Sequence, residues 1–376
     1  MAEKRAYIIL MKFNFSYWLR QYIQQAFSVT NNRLGAIDGL RALAVVLVFN
    51  VHFFGAAVKE GALVAESELI HAVVMVLRAG HIGVDFFFLI SGYLILLTLN
   101  RATTPWNFLL KRFIRLWPVL AATTLSWLFV TRGDVPFFDI VLNLLFVAPL
   151  IEGVQVVNHV TWSLTWEWIF YILICVAAIL IGRHPLFWIA FVLAGAGFMQ
   201  WLDIGGKNFI QADRFVAFGV GMCIALIPPS SLAKLNGRLV GVLASVAFIG
   251  LVLLQVAWAF RATEITAAPF NMGFYLAVSI LFGVIVLAAL NRESWVAKVF
   301  SSKLLRWMGS LSYSFYLLHA LALIALHSRI SGSSITEMIA WYLATFSVVT
   351  LASVFFYLLF ERPYFARAAS RQTTSA

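Results

Sequence analysis

Arg41 and His52 stand eleven residues apart in the apolar stretch GLRALAVVLVFNVHFF. On a helix that spacing turns through about 1100°, some 20° past three full turns, so both side chains project from one face about 16 Å apart. An ionisable pair in so apolar a stretch is a site candidate, and an imidazole there suits general-base work. A snorkelling arginine plus one packed, neutral histidine explains the pair equally well. The following segment, GVDFFFLISGYL, puts Asp85 near the outer end of a second helix, at a depth that approaches His52. A carboxylate beside an imidazole orients its tautomer and raises its basicity. Ser91 and Gly92 fall further along, where a small pair admits either a neighbouring helix or a thin ligand, packing being the simpler use of the glycine.

In KRFIRLWP, Lys111, Arg112 and Arg115 crowd three cations into five residues before Trp117 and Pro118. A positive anchor is the simple reading; a polyanion such as a nucleotide phosphate is the sharper one. In WSLTWEWIFY, Ser163, Glu167 and Tyr171 follow at i, i+4 and i+8 along one stripe, with Glu167 a turn inside the expected boundary. A carboxylate at that depth needs a partner or a proton-handling task. Ser312, Tyr316 and His319 in SLSYSFYLLH also share a face and suit a core hydrogen-bond network. Asp213 with Arg214 reads as an interfacial salt bridge, and Glu361 with Arg362 as a pair anchoring the inner rim.

These residues are candidates because of what surrounds them. The chain of 376 residues is 62% hydrophobic and 11% charged, with a mean hydropathy of +0.92. Soluble domains are about 25% charged, and so much apolar surface is unfavourable in water. Its continuous apolar runs, such as 239–260, lack the period-two alternation of outer-membrane barrels and read as spanning helices. The expected architecture is an all-α polytopic membrane protein of about ten transmembrane helices. They fall near 37–58, 81–99, 114–131, 160–181, 185–202, 209–227, 238–259, 271–290, 308–327 and 338–360. Segment 137–151 is too short and Pro-punctuated to span and is expected to lie interfacially on the outer side. Of the 27 lysines and arginines, twenty fall on the side that holds the N-terminus, a positive-inside bias that places both termini in the cytoplasm. Residues 1–35 read as a cytoplasmic tail with an interfacial helix carrying Phe13, Tyr17, Trp18 and Tyr22, and no cleavable signal peptide is visible. Residues 36–363 form the membrane domain and 364–376 a second cytoplasmic tail. Cys175 and Cys223 both lie in apolar runs and indicate neither a disulfide framework nor a metal site. The net charge of +11 belongs to the loops and to topology, not to nucleic acid.

Taken together, these segments resemble the bacterial membrane acyltransferase family three, whose members O-acylate cell-envelope and exported glycans. The resemblance runs from about Leu34 to Pro363. It rests on the Arg41–His52 spacing, GVDFFFLISGYL, KRFIRLWP, WSLTWEWIFY, LSYSFYLLH and FERP in the family's order. Trp168 stands where many relatives carry a second acid, which leaves Glu167 as the acid of interest. The extracytoplasmic esterase-like domain of longer relatives is not expected here, so the chain looks like a stand-alone module. The resemblance implies an acyl-CoA co-substrate, usually acetyl-CoA, used from the cytoplasmic side of the bacterial inner membrane. It implies a hydroxyl acceptor on a glycan or lipid-linked saccharide, no permanently bound cofactor and no metal. On that basis Lys111, Arg112, Arg115 and Arg41 hold the donor, whose pantetheine arm passes Ser91 and Gly92. His52 then serves as general base or acyl carrier, Asp85 orients it, and Glu167 binds sugar or moves a proton. Ser163, Tyr171, Tyr316 and His319 are further polar candidates.

A proton-coupled secondary transporter would also use buried His, Asp and Glu. Such proteins often carry inverted repeats and paired broken helices, and neither is visible here. A glycan export component gives no reason for a cation cluster and a histidine in one bundle. Stabilisation by CoA separates the enzyme from both.

Overall fold

Apolar runs in lipid fold as helices because each backbone N–H and C=O must find its partner within the segment. The computed structural model describes residues 34–59, 68–100, 102–182, 184–201, 212–261, 272–330 and 334–365, and among them no strand occurs. The expected N-terminal surface helix and nearly all of the C-terminal tail lie outside the described residues. The helices are α1 (Gly35–Lys59), α2 (Glu68–Arg78), α3 (Ile82–Leu99), α4 (Pro105–Thr131), α5 (Phe137–Leu144), α6 (Trp162–Ile181) and α7 (Pro185–Trp201). Then come α8 (Phe215–Ala225), α9 (Pro229–Lys234), α10 (Gly237–Arg261), α11 (Met272–Leu290), α12 (Trp295–Phe300), α13 (Lys303–Ile330) and α14 (Ile335–Phe356). A π-helical turn, Tyr357–Glu361, continues α14.

Each of the ten expected intervals contains a helix. Among the described residues, eight helical stretches are long and apolar enough to cross a membrane, while α7 and α8 are shorter. Helix α2 was not foreseen; three residues separate it from α3. The segment at 137–151 holds α5 and a short 3₁₀ turn, Ala148–Leu150. The largest boundary error is at α4, which starts at Pro105 and not at 114. Thr104 caps it by accepting from the Asn107 N–H at 3.1 Å, and proline occupies the first turn, where its missing N–H costs nothing.

Burial sorts the helices into centre and periphery. The stretches holding α2–α3 and α13 are each 72% buried, against 28% for α10 and 22% for α14, so α3 and α13 form the middle of the bundle and α10 and α14 face lipid. Helix α1 packs along α13, and a methyl on Gly309 would collide with the carbonyl oxygen of Asp38. That backbone-to-backbone approach brings the faces of Arg41 and Tyr316 toward one interior.

Candidate functional site

A partly open cavity lies between α1, α3, α4, α6 and α13. Three cations line it: Arg41 from α1, and Arg112 and Arg115 from α4. None of the three forms an ion pair among the described residues. Arg112 instead donates to Thr98 Oγ1 at 3.1 Å and lies over the rings of Phe108 and Tyr171. Arg115 lies over Phe365. Because α4 begins at Pro105, these guanidinium groups stand two to three turns along the helix, about 10–15 Å from its start. Lys111 is exposed and does not line the cavity: one residue from Arg112 is about 100° around the helix, whereas Arg115 at i+3 returns to the same side.

The stripe on α6 does face the cavity. Glu167 Oε1 accepts from Ser91 Oγ at 2.6 Å and from the Tyr171 hydroxyl at 2.5 Å, tying α3 to α6 beside the arginines. Farther along, the Tyr316 hydroxyl donates to the Val160 carbonyl at 2.8 Å and lies 2.7 Å from Ser163 Oγ. A carbonyl can only accept, so Ser163 donates to Tyr316. Two cavity residues were missed as site candidates, Ser312 and Tyr313. Ser312 lies one turn before Tyr316, and its hydroxyl is buried with no hydrogen-bond partner among the described residues. Its shared face with Tyr316 was the available signal.

His52 does not line the cavity; it pairs with His319. His319 Nε2 lies 3.2 Å from His52 Nδ1, and the rings sit 4.9 Å apart at 57°. Tyr316 links the pair to the cavity, since it lines the cavity and its carbonyl binds His319 Nδ1 at 2.6 Å.

Two expectations need correction. Asp85 does not orient His52. It is fully buried and bound to Arg214 at 3.2 Å, itself 4% exposed and held over the rings of Trp162 and Tyr275. Two neutral imidazoles can satisfy one another, but a buried carboxylate needs a cation, and Arg214 supplies it. Gly92 is not beside a ligand either. A methyl there would collide with the Phe218 carbonyl of α8, as one on Gly221 would with that of Leu89. Both glycines are used in the close crossing of α3 and α8.

Known proteins share this chain's pattern. A family model described as an acyltransferase domain matches residues 34–358. A Staphylococcus aureus protein whose name proposes an O-acetyltransferase is 26% identical over 367 residues, covering 87% of this chain and 56% of its own. Peptidoglycan O-acetyltransferase OatA of Listeria monocytogenes is 30% identical over 338 residues, covering 76% of this chain and 48% of its own. BcsY of Komagataeibacter xylinus, whose name proposes a membrane-bound transacylase, is 27% identical and matches over 88% of this chain and 83% of its own. The chain thus spans about half the length of the first two relatives. No solved structure gives a significant match.

Proposed function

The chain belongs to the acyltransferase-domain family of multi-pass membrane proteins, and from that premise we propose that it moves an acyl group, acetyl in the simplest case, from acyl-CoA to a glycan hydroxyl. One observation carries the donor: three arginines with no ion-pair partner among the described residues line one cavity. Guanidinium groups are matched in geometry to phosphate, and cations left unpaired in a confined space favour a polyanion. Arg112 and Arg115 bind the CoA phosphates, with Arg41 beside them. The pantetheine arm runs past Ser91 and the apolar wall of Val84, Phe87 and Leu164 toward Tyr316.

The chemistry belongs to His52. As general base it takes the proton of the acceptor hydroxyl while that oxygen bonds to the thioester carbonyl carbon. The C–S bond then breaks, and the thiolate leaves with the proton as CoA thiol. As acyl carrier the same ring accepts the acyl group first and passes it on. Glu167, held by Ser91 and Tyr171, binds sugar or shuttles a proton. The acceptor is a hydroxyl of an envelope or exported glycan or of a lipid-linked saccharide; the Listeria relative's name points to peptidoglycan as one member of that class. The protein works in the bacterial cytoplasmic membrane with both termini inside, drawing its donor from the cytoplasm.

Thermal unfolding of the protein in detergent, with and without CoA, tests the donor. Binding at a hundred times Kd stabilises by about 2.7 kcal/mol, visible as a raised midpoint. His52→Ala should keep that rise and lose transfer. A midpoint indifferent to CoA at millimolar concentration overturns the donor assignment.

A further inference from the structure

Two histidines on helices distant in sequence meet beside the cavity, and the atoms around them fix where their protons sit. His52 Nδ1 lies 2.9 Å from the Val48 carbonyl, one turn back on α1. His319 Nδ1 lies 2.6 Å from the Tyr316 carbonyl on α13. Carbonyl oxygens only accept, so each Nδ1 carries the hydrogen in the neutral ring. His319 Nε2 is then a bare lone pair, and the atom facing it at 3.2 Å is His52 Nδ1. The His52 Nδ1–H is therefore shared between two acceptors, one from its own helix and one from α13, a three-centre arrangement. Of the four ring nitrogens, three are committed. The fourth, His52 Nε2, is left with its lone pair.

We propose that His319 is a positioning residue: by accepting from His52 Nδ1–H it holds the His52 ring in the tautomer and orientation that make Nε2 the reactive nitrogen. This rests on the transfer reaction proposed above, since it names which atom of His52 works and what holds it. Either route uses the same nitrogen, as proton acceptor or as the atom that bonds to the acyl carbon. When Nε2 takes a proton, His52 becomes a cation whose Nδ1–H bond to a neutral imidazole strengthens, because hydrogen bonds from charged donors are the stronger ones. His319 fills the place usually given to a carboxylate. Asp85, the acid that the sequence offered for that place, is bound to Arg214 instead. His319 is wholly buried, which keeps water from competing for its lone pair.

The resting protons are read directly by ¹⁵N NMR on histidine-labelled protein in nanodiscs, with His52→Ala and His319→Gln used to assign the two rings. The expected spectrum shows both rings neutral, each with hydrogen on Nδ1. A His319 ring protonated on Nε2 overturns the proposal whether or not the protein transfers acyl groups, so its failure is separate from failure of the activity. Turnover supplies the second arm, with acetyl-CoA as the donor. His319→Leu, which cannot accept, should lower kcat by about 100-fold or more while leaving the donor KM and the CoA-induced stabilisation in place. His319→Gln, whose carbonyl oxygen can accept, should recover most of that loss. Equal kcat in the Leu variant and the parent overturns it, as does an equal loss in the Leu and Gln variants. If the Leu variant does not fold, the spectrum and the Gln variant decide: a Gln variant that folds and binds CoA but has lost turnover sinks the idea.

Discussion

At the scale of single residues, what decides function is which charges have been left without partners. Arg112 and Arg115 line the cavity with no ion-pair partner among the described residues, while Lys111 is exposed and does not line it. Arg112→Gln and Arg115→Gln should therefore each raise the donor KM about tenfold, the equivalent of roughly 1.4 kcal/mol per lost contact, with kcat little changed. Lys111→Gln should behave as the parent. Steady-state kinetics at varied acetyl-CoA reads the difference, and an equal effect of all three would reduce the cluster to a membrane anchor. Asp85 and Arg214 make the opposite case, a charge pair consumed by structure. Asp85→Asn strands a buried guanidinium and should cost about 3–5 kcal/mol, whereas Asp85→Leu with Arg214→Met should recover much of it. Thermal midpoints check this, and a double variant no better than the single would assign the pair another task. The sequence exposed each of these residues, because an ionisable group in an apolar run is visible at once. Their partners were not visible. Asp85 and Arg214 are 129 positions apart, and His52 and His319 are 267 apart. No helical period reports a contact between elements.

At the scale of elements, the spacing rules worked within a helix and failed at its ends. The stripe of Ser163, Glu167 and Tyr171 faces one cavity as its periodicity required. The start of α4 was misplaced because Lys111 and Arg112 look like a boundary, whereas Thr104 and Pro105 supply the cap and the first turn. The pair Ser91–Gly92 divides its labour across α3: the serine turns to Glu167, and the glycine opposes α8. Gly92→Leu should therefore force α3 and α8 apart, at an overpacking cost of about 1–3 kcal/mol or more. Ser91→Ala should leave the fold intact and weaken only the hold on Glu167. A lowered thermal midpoint for Gly92→Leu, beside a parent-like midpoint for Ser91→Ala, is the expected result. The reverse order would mean that Gly92 contacts a ligand after all.

At the scale of the whole molecule, the proposed transfer depends on which end of the bundle faces the cytoplasm. Composition made the membrane legible, and the lysine and arginine bias gave an orientation; it could not locate the cavity, which arises from five helices drawn from across the chain. The orientation has a direct physical test. Thr103 precedes the cation-bearing helix and Glu152 lies beyond its far end, and both are exposed. In a Cys175→Ser, Cys223→Ser background, a membrane-impermeant maleimide added to spheroplasts should label Glu152→Cys and leave Thr103→Cys untouched until the membrane is opened. On the proposed donor assignment, with CoA held at the arginine end, protection of Thr103→Cys places its binding in the cytoplasm, where CoA is made. Labelling of Thr103→Cys in sealed cells would turn the molecule over. The arginines would then open to a compartment without CoA, and the donor would have to be a different polyanion.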